Sequence, residues 1–166
     1  MDVTAALRPY PRNSAEAAAR IVALALIANG RIKAVETAAL EAHQAHERLG
    51  LTRPQWHAVI HELSADLLEA TRCDENCCIS SELVDRMLDE VDDQGTRRLV
   101  LRLCSVVVHA DRQIDDGESF VLLAAIERWD LAADELALLE PLLYGMGFQV
   151  RPRGQHGNAG HRLRLR

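Results

Sequence analysis

The feature that most restricts the fold is an internal repeat. IVALALIANGRIKAVETAAL, from Ile21, aligns with LCSVVVHADRQIDDGESFVL, from Leu103, at a shift of 82 residues. Ala28 then meets Ala110, Asn29 meets Asp111, Ile32 meets Ile114, Glu36 meets Glu118 and Leu40 meets Leu122. With two residues deleted, Arg48-Leu49-Gly50-Leu51 meets Arg128-Trp129-Asp130-Leu131. Each unit reads as an apolar helix, a short polar turn, one buried aliphatic, a glutamate that opens the next helix, and an Arg-apolar-turn-Leu ending. Neither hairpin can bury its apolar face alone, so the two should pack about a pseudo-two-fold axis.

Composition agrees with helices throughout. Ala and Leu each occur 24 times, and aromatic residues are only 4% of the chain. Strong helix formers dominate, and β-branched and aromatic residues are scarce. At 166 residues the chain can build a core without disulfides or a structural metal. The expected fold is all-α: a compact bundle of about seven helices built from two pseudo-symmetric helical hairpins.

Capping signals place those helices. The first runs from about Ser14 to Asn29, with Asn13 or Ser14 as N-cap and Gly30 as a left-handed stop. The second spans 34–49 as one helix, ends at Gly50, and turns Val35, Ala39, Ala42, Ala45 and Leu49 inward. The third follows Thr52 and Pro54, with Trp56, Ile60, Leu63 and Leu67 as its inner face. Residues 71–80 break the pattern. A fourth helix from Ser80 or Ser81 buries Leu83, Met87, Leu88 and Val91. The fifth covers 95–109 with Leu99, Leu103, Cys104 and Val107 inside, the sixth 116–129, and the seventh 133–144 with a kink at Pro141. This divides the chain into an N-terminal arm (1–13), a helical domain (14–147) and a tail (148–166).

Charge narrows the partners. Residues 151–166 hold five Arg, two His and no acid, so residues 1–150 carry 14 basic and 25 acidic residues, a net of −11. An acidic body disfavours nucleic acid and suits cations or basic proteins. The Gly- and Arg-rich tail has little to bury, so it is expected to lack regular structure and to offer at most a weak contact with anionic surfaces. No apolar run reaches the length of a transmembrane helix. The apolar stretch Ile21–Ala28 has the flavour of a signal peptide, but Glu16 and Arg20 stop it from extending further back and its eight residues are short for such a segment. Four cysteines, two of them adjacent, fit a reduced, cytoplasmic protein.

Ala28-Asn29-Gly30-Arg31-Ile32 with Glu36, and Ala110-Asp111-Arg112-Gln113-Ile114 with Glu118, each followed by an Arg-apolar-turn-Leu ending, resemble the TerB-like tellurite-resistance family. That fold also occurs as an accessory region of DnaJ-type co-chaperones. The likeness covers roughly Ser14 to Leu143. It implies a compact helical bundle, no catalysis, a role in stress or metal resistance, and an acidic face that binds a cation. Asn29 stands where the family has aspartate, and Arg112 where it has glycine; both departures weaken an inherited cation site.

The candidate ligands are Asn29, Glu36, Asp111, Asp115 and Glu118. Oxygen donors of this kind suit hard divalent cations such as Ca²⁺, Mg²⁺ or Mn²⁺. Asp115 and Glu118 also read as a capping box, and acids suit a helix N-terminus. Asp111 follows the fifth helix, where the dipole disfavours an anion. An EF-hand is excluded, because the loop position that needs Gly holds Asp116 and the final Glu position holds Leu122. His57 and His61, four apart, with Cys73, Cys77 and Cys78, carry the donor types of a zinc site but none of its usual spacings; an exposed His pair and a reduced linker suffice. His43 should face solvent, His46 the interior edge, and Cys104 should be a small buried hydrophobe. No motif of an NTPase, α/β-hydrolase, zinc protease or dinucleotide enzyme is present. The expected function is non-enzymatic: cation binding, or alternatively metal-free contact with an unidentified protein as a co-chaperone or adaptor module.

Overall fold

The computed structural model describes residues 7–28, 30–72, 79–110, 116–131, 137, 139–141, 143–144, 148–149 and 164–165. Seven helices have defined bounds: α1 (Ala15–Ile27), α2 (Ala34–Ala42), α3 (Ala45–Arg48), α4 (Arg53–Arg72), α5 (Ser81–Asp89), α6 (Gln94–His109) and α7 (Asp116–Trp129). Residues 137, 139–141, 143 and 144 are also helical. Phe148–Gln149 pairs antiparallel with Arg164–Leu165, so two segments of a tail expected to lack regular structure form a two-residue ladder.

α1 is the axis of the bundle. It packs against α4, α5, α6 and α7, and every residue from Ala17 to Leu26 is buried. A helix apolar on all sides belongs inside a core, which explains the signal-like stretch from Ile21. Ser14 caps α1 by accepting a hydrogen bond from the Ala17 N–H at 3.1 Å. Gly30 stops it with φ +75°.

Around α1 the two hairpins share several corresponding features, although α7 also packs on its own first helix, α6. α2 packs on α6, and α7 packs on α1. Glu36 and Glu118 are each the third residue of their helix. Leu40 and Leu122 are both buried, as are Leu49 with Trp129 and Leu51 with Leu131. The turn residue between them is left-handed in both copies: Gly50 has φ +81° and Asp130 has φ +43°. In the first copy, Leu51 N–H donates to His46 C=O at 2.8 Å and Gly50 N–H to Glu47 C=O at 3.0 Å, the paired bonds of a Schellman ending.

The halves differ in how much they bury. α7 turns Val121, Leu122, Ala125, Ile126 and Trp129 into the core, whereas α2 buries only Glu36 and Leu40. The single helix expected over 34–49 is broken at Gln44, which adopts φ +52°. The break reorients α3 relative to α2. Ala45 and Leu49 face inward as expected, but Val35 and Ala42 face solvent. Ile32, expected to be buried, is 53% exposed. It precedes Lys33, the N-cap of α2, so it belongs to the surface turn rather than to the helix and no helical spacing turns it inward.

α4, α5 and α6 follow their sequence signals, although Leu99, expected inside, is half-buried; half of the helix expected over 133–144 with a kink at Pro141 lies outside the described residues. In α4, Thr52 and Gln55 form a reciprocal cap: Thr52 N–H donates to Gln55 Oε1 at 2.9 Å, and Gln55 N–H to Thr52 Oγ1 at 3.4 Å. Trp56, Val59 and Leu63 are buried, with Ile60 and Leu67 packed against them. Ser80 caps α5, whose buried residues are Leu83, Val84, Met87 and Leu88. Asp93 caps α6. Cys104 lies fully inside the core, where desolvation pushes its thiol up to about 12.

Candidate functional site

The repeat places one turn between α1 and α2 and another between α6 and α7. α2 packs on α6, the first helix of the other hairpin, whereas α7 packs on both α1 and its own α6. Of the five candidate ligands, Asn29, Asp111 and Asp115 lie outside the described residues, as does the side chain of Glu118. Glu36 is described.

Glu36 is 0% exposed. Among the described residues, neither carboxylate oxygen has a hydrogen-bond partner. Lys33 Nζ lies 3.1 Å from Oε1, an ion pair. Burying an ionised carboxylate costs several kcal/mol unless positive charge and hydrogen bonds compensate it. Lys33 supplies charge from one side, and the oxygens retain lone pairs for another donor or a cation. The first turn of α2 contributes the positive end of the helix dipole at the same place. Ile32 and Val35, both exposed, flank the carboxylate in sequence.

Among the described residues, no group of three or more His, Cys, Asp or Glu side chains is arranged to hold a metal ion. His57 and His61 are exposed on α4, while Cys73, Cys77 and Cys78 lie outside the described residues. His43 is exposed and His46 half-buried, as expected.

A second polar assembly has almost no signature in the sequence. The arm 7–13 lies along α4 and reaches the α5–α6 junction. Arg8 grips Asp66 with Nε at 3.1 Å and Nη2 at 2.9 Å, and its Nη1 is 3.2 Å from Glu62. That hydrogen-bonded carboxylate pushes the Arg8 guanidinium above its ordinary value. Tyr10 donates its hydroxyl to Glu62 Oε2 at 2.6 Å; burial first, then this hydrogen bond, push the phenol upward. Arg20, 1% exposed inside the apolar face of α1, ion-pairs with Glu90 and donates to the Arg8 carbonyl at 2.6 Å. Its guanidinium lies 4.7 Å from the Tyr10 ring centroid, and its Nε has no hydrogen-bond partner among the described residues. Asn13, with φ +60°, donates its own N–H to Glu90 C=O at 2.8 Å, and its Oδ1 accepts from Asp92 N–H and Asp93 N–H. The only sequence signal is a charged residue within the apolar run, and the partners in the assembly sit up to 80 residues apart.

Fold and site together define a small all-α protein with paired helix–turn–helix units and a buried, underbonded carboxylate at the start of one outgoing helix. Compared with protein-family models, with curated proteins and with solved structures, the chain matches none. Among the described residues no helix is long and apolar enough to cross a membrane.

Proposed function

We propose that this is a non-enzymatic, TerB-like helical domain that binds a hard divalent cation at its paired turns. The observation that carries the reading is Glu36: a fully buried carboxylate with no hydrogen-bond partner for either oxygen among the described residues and the Lys33 ammonium 3.1 Å from one of them. Such a group fits an oxygen-ligand site better than a core position. The repeat gives the site its second half, because Glu118 holds the corresponding position of α7. Asn29, Asp111 and Asp115 complete the proposed donor set, with Ca²⁺, Mg²⁺ or Mn²⁺ as the cation.

The second reading is a metal-free interaction module of adaptor or co-chaperone type. Exposed Ile32 and Val35 beside the turn favour it, since neighbouring exposed aliphatics are a feature of contact surfaces. Thermal unfolding with and without each metal separates the two readings. Under the cation reading, saturating metal raises the midpoint and Asp111→Asn removes the rise while barely changing the metal-free midpoint. Equal destabilisation of Asp111→Asn in both conditions leaves only the interaction module.

A further inference from the structure

Away from the paired turns, α5 and α7 enclose an open groove of about 530 Å³. Phe120, Leu123 and Ala124 form its apolar part, and Asp85, Glu127 and Arg128 its charged part. Phe120 is 38% exposed, although its neighbours Ser119 and Val121 are buried. The charges in the groove do not balance. Arg128 is committed to Asp89, with Nε 2.8 Å from Oδ1 and Nη2 2.6 Å from Oδ2. The side chains of Asp85 and Glu127 make no ion pair or hydrogen bond among the described residues. Asp85 adds only a longer-range attraction to the same arginine. Within the lining, one guanidinium already paired with Asp89 thus meets two carboxylates, beside an exposed aromatic ring.

We infer that this groove docks a basic amphipathic peptide segment of a partner protein, seating an aliphatic side chain on Phe120, Leu123 and Ala124 and a Lys or Arg between Asp85 and Glu127. The volume lies within the range of cavities that hold a few side chains or a small ligand. The surplus of negative charge selects a cation over an anion. Two helices in contact present an apolar trough in which the alternating anchors of such a segment can lie. An acidic or purely apolar segment would leave both carboxylates without a counter-charge. The groove contains none of the proposed cation ligands, so it stands apart from the cation site.

The full chain can be titrated into a fluorescein-labelled amphipathic peptide of Leu and Lys, with anisotropy as the readout. A peptide with Glu at every Lys serves as comparison. The expected result is saturable binding of the Lys peptide and none of the Glu peptide. Asp85→Asn with Glu127→Gln should weaken binding about three- to tenfold, the scale of two exposed ion pairs. Phe120→Gln should weaken it further, with circular dichroism and the thermal midpoint unchanged in each variant. Glu41→Gln with Glu47→Gln removes the same charge from α2 and α3, outside the groove, and should bind as the parent does. Equal loss in that control pair would show attraction to the acidic body as a whole and overturn the proposal. Binding of the Glu peptide, or affinity for the Lys peptide unmoved by the groove variants, would overturn it too.

Discussion

Replacing Arg20 with Met tests the polar assembly beneath the arm. Arg20 is buried within the central helix, and three groups depend on it: the Glu90 carboxylate, the Arg8 carbonyl 2.6 Å away and the Tyr10 ring 4.7 Å away. Met fills similar volume without charge. Removing one partner of a buried ion pair costs about 3–5 kcal/mol, because the other charge stays behind. Glu90 retains 17% side-chain exposure, so water can reach it in part. The low end, about 3 kcal/mol, is therefore expected. For a chain of this size that lowers the melting midpoint by roughly 6–12 °C. Arg20→Lys keeps the charge but loses the two-pronged reach to Glu90 and the carbonyl, so it should also destabilise. Arg20→Met combined with Glu90→Gln removes the stranded charge and should recover about 1–2 kcal/mol of the loss. Urea unfolding of the parent, both single variants and the double variant closes the cycle. If Arg20→Met lies within about 0.5 kcal/mol of the parent, or the double variant recovers nothing, the pair does not hold the arm to the core as described.

Other expectations rest on single contacts. Gly50 has φ +81° and nothing within 4 Å of an added Cβ, so Gly50→Ala should cost about 1 kcal/mol through backbone strain alone, as read by urea unfolding. Trp56 is buried; Trp56→Ala should cost about 3–5 kcal/mol, and in a Trp129→Phe background Trp56 should show the blue-shifted emission of a buried indole. Asp92 is held below its ordinary value by its hydrogen bonds to Arg12 and then Asn13, and Asp93 by the Thr96 N–H and then the Thr96 hydroxyl. A depressed carboxylate contributes stability that is complete above its unfolded value, near pH 4, and is lost as pH falls through the folded value. Asp93→Asn should therefore lose less stability than the parent on acidification below about pH 4, measured by the unfolding midpoint across a pH series.

The helices that are easiest to read have local punctuation. Ser14, Gly30, Gly50 and Ser80 act as the caps or stops their residue types suggest. The repeat is legible because corresponding positions do the same work in both copies; Gly50 and Asp130 both turn left-handed although their side chains differ. The break at Gln44 is not legible. No Gly or Pro marks it, and Ala42, Gln44 and Ala45 are good helix formers, so the burial of Ala45 and Leu49 against the core outweighs local preference there. The exposure of Ile32 escapes helical spacing because the residue sits in the turn, ahead of the helix. The Arg8, Arg20 and Asn13 contacts join positions 12 to 80 residues apart, a separation to which periodicity is blind. In the candidate site, the type of residue at Glu36 is legible, but its full burial and missing hydrogen bonds come only with the packing of α2 on α6.

The most direct test of the cation site uses Mn²⁺, whose free form gives a strong paramagnetic resonance signal that weakens on binding to protein. Titrating the parent chain and Glu36→Gln with Mn²⁺ under identical conditions isolates the one carboxylate on which the reading rests. The variant keeps the shape of the side chain and removes only the charge, and its thermal midpoint without metal shows that it is folded. The account predicts saturable binding by the parent, competition by Mg²⁺ or Ca²⁺, and a tenfold or larger loss of affinity in the variant, on the order of 1.4 kcal/mol. Equal Mn²⁺ binding by the two folded proteins, or none by the parent, would contradict it.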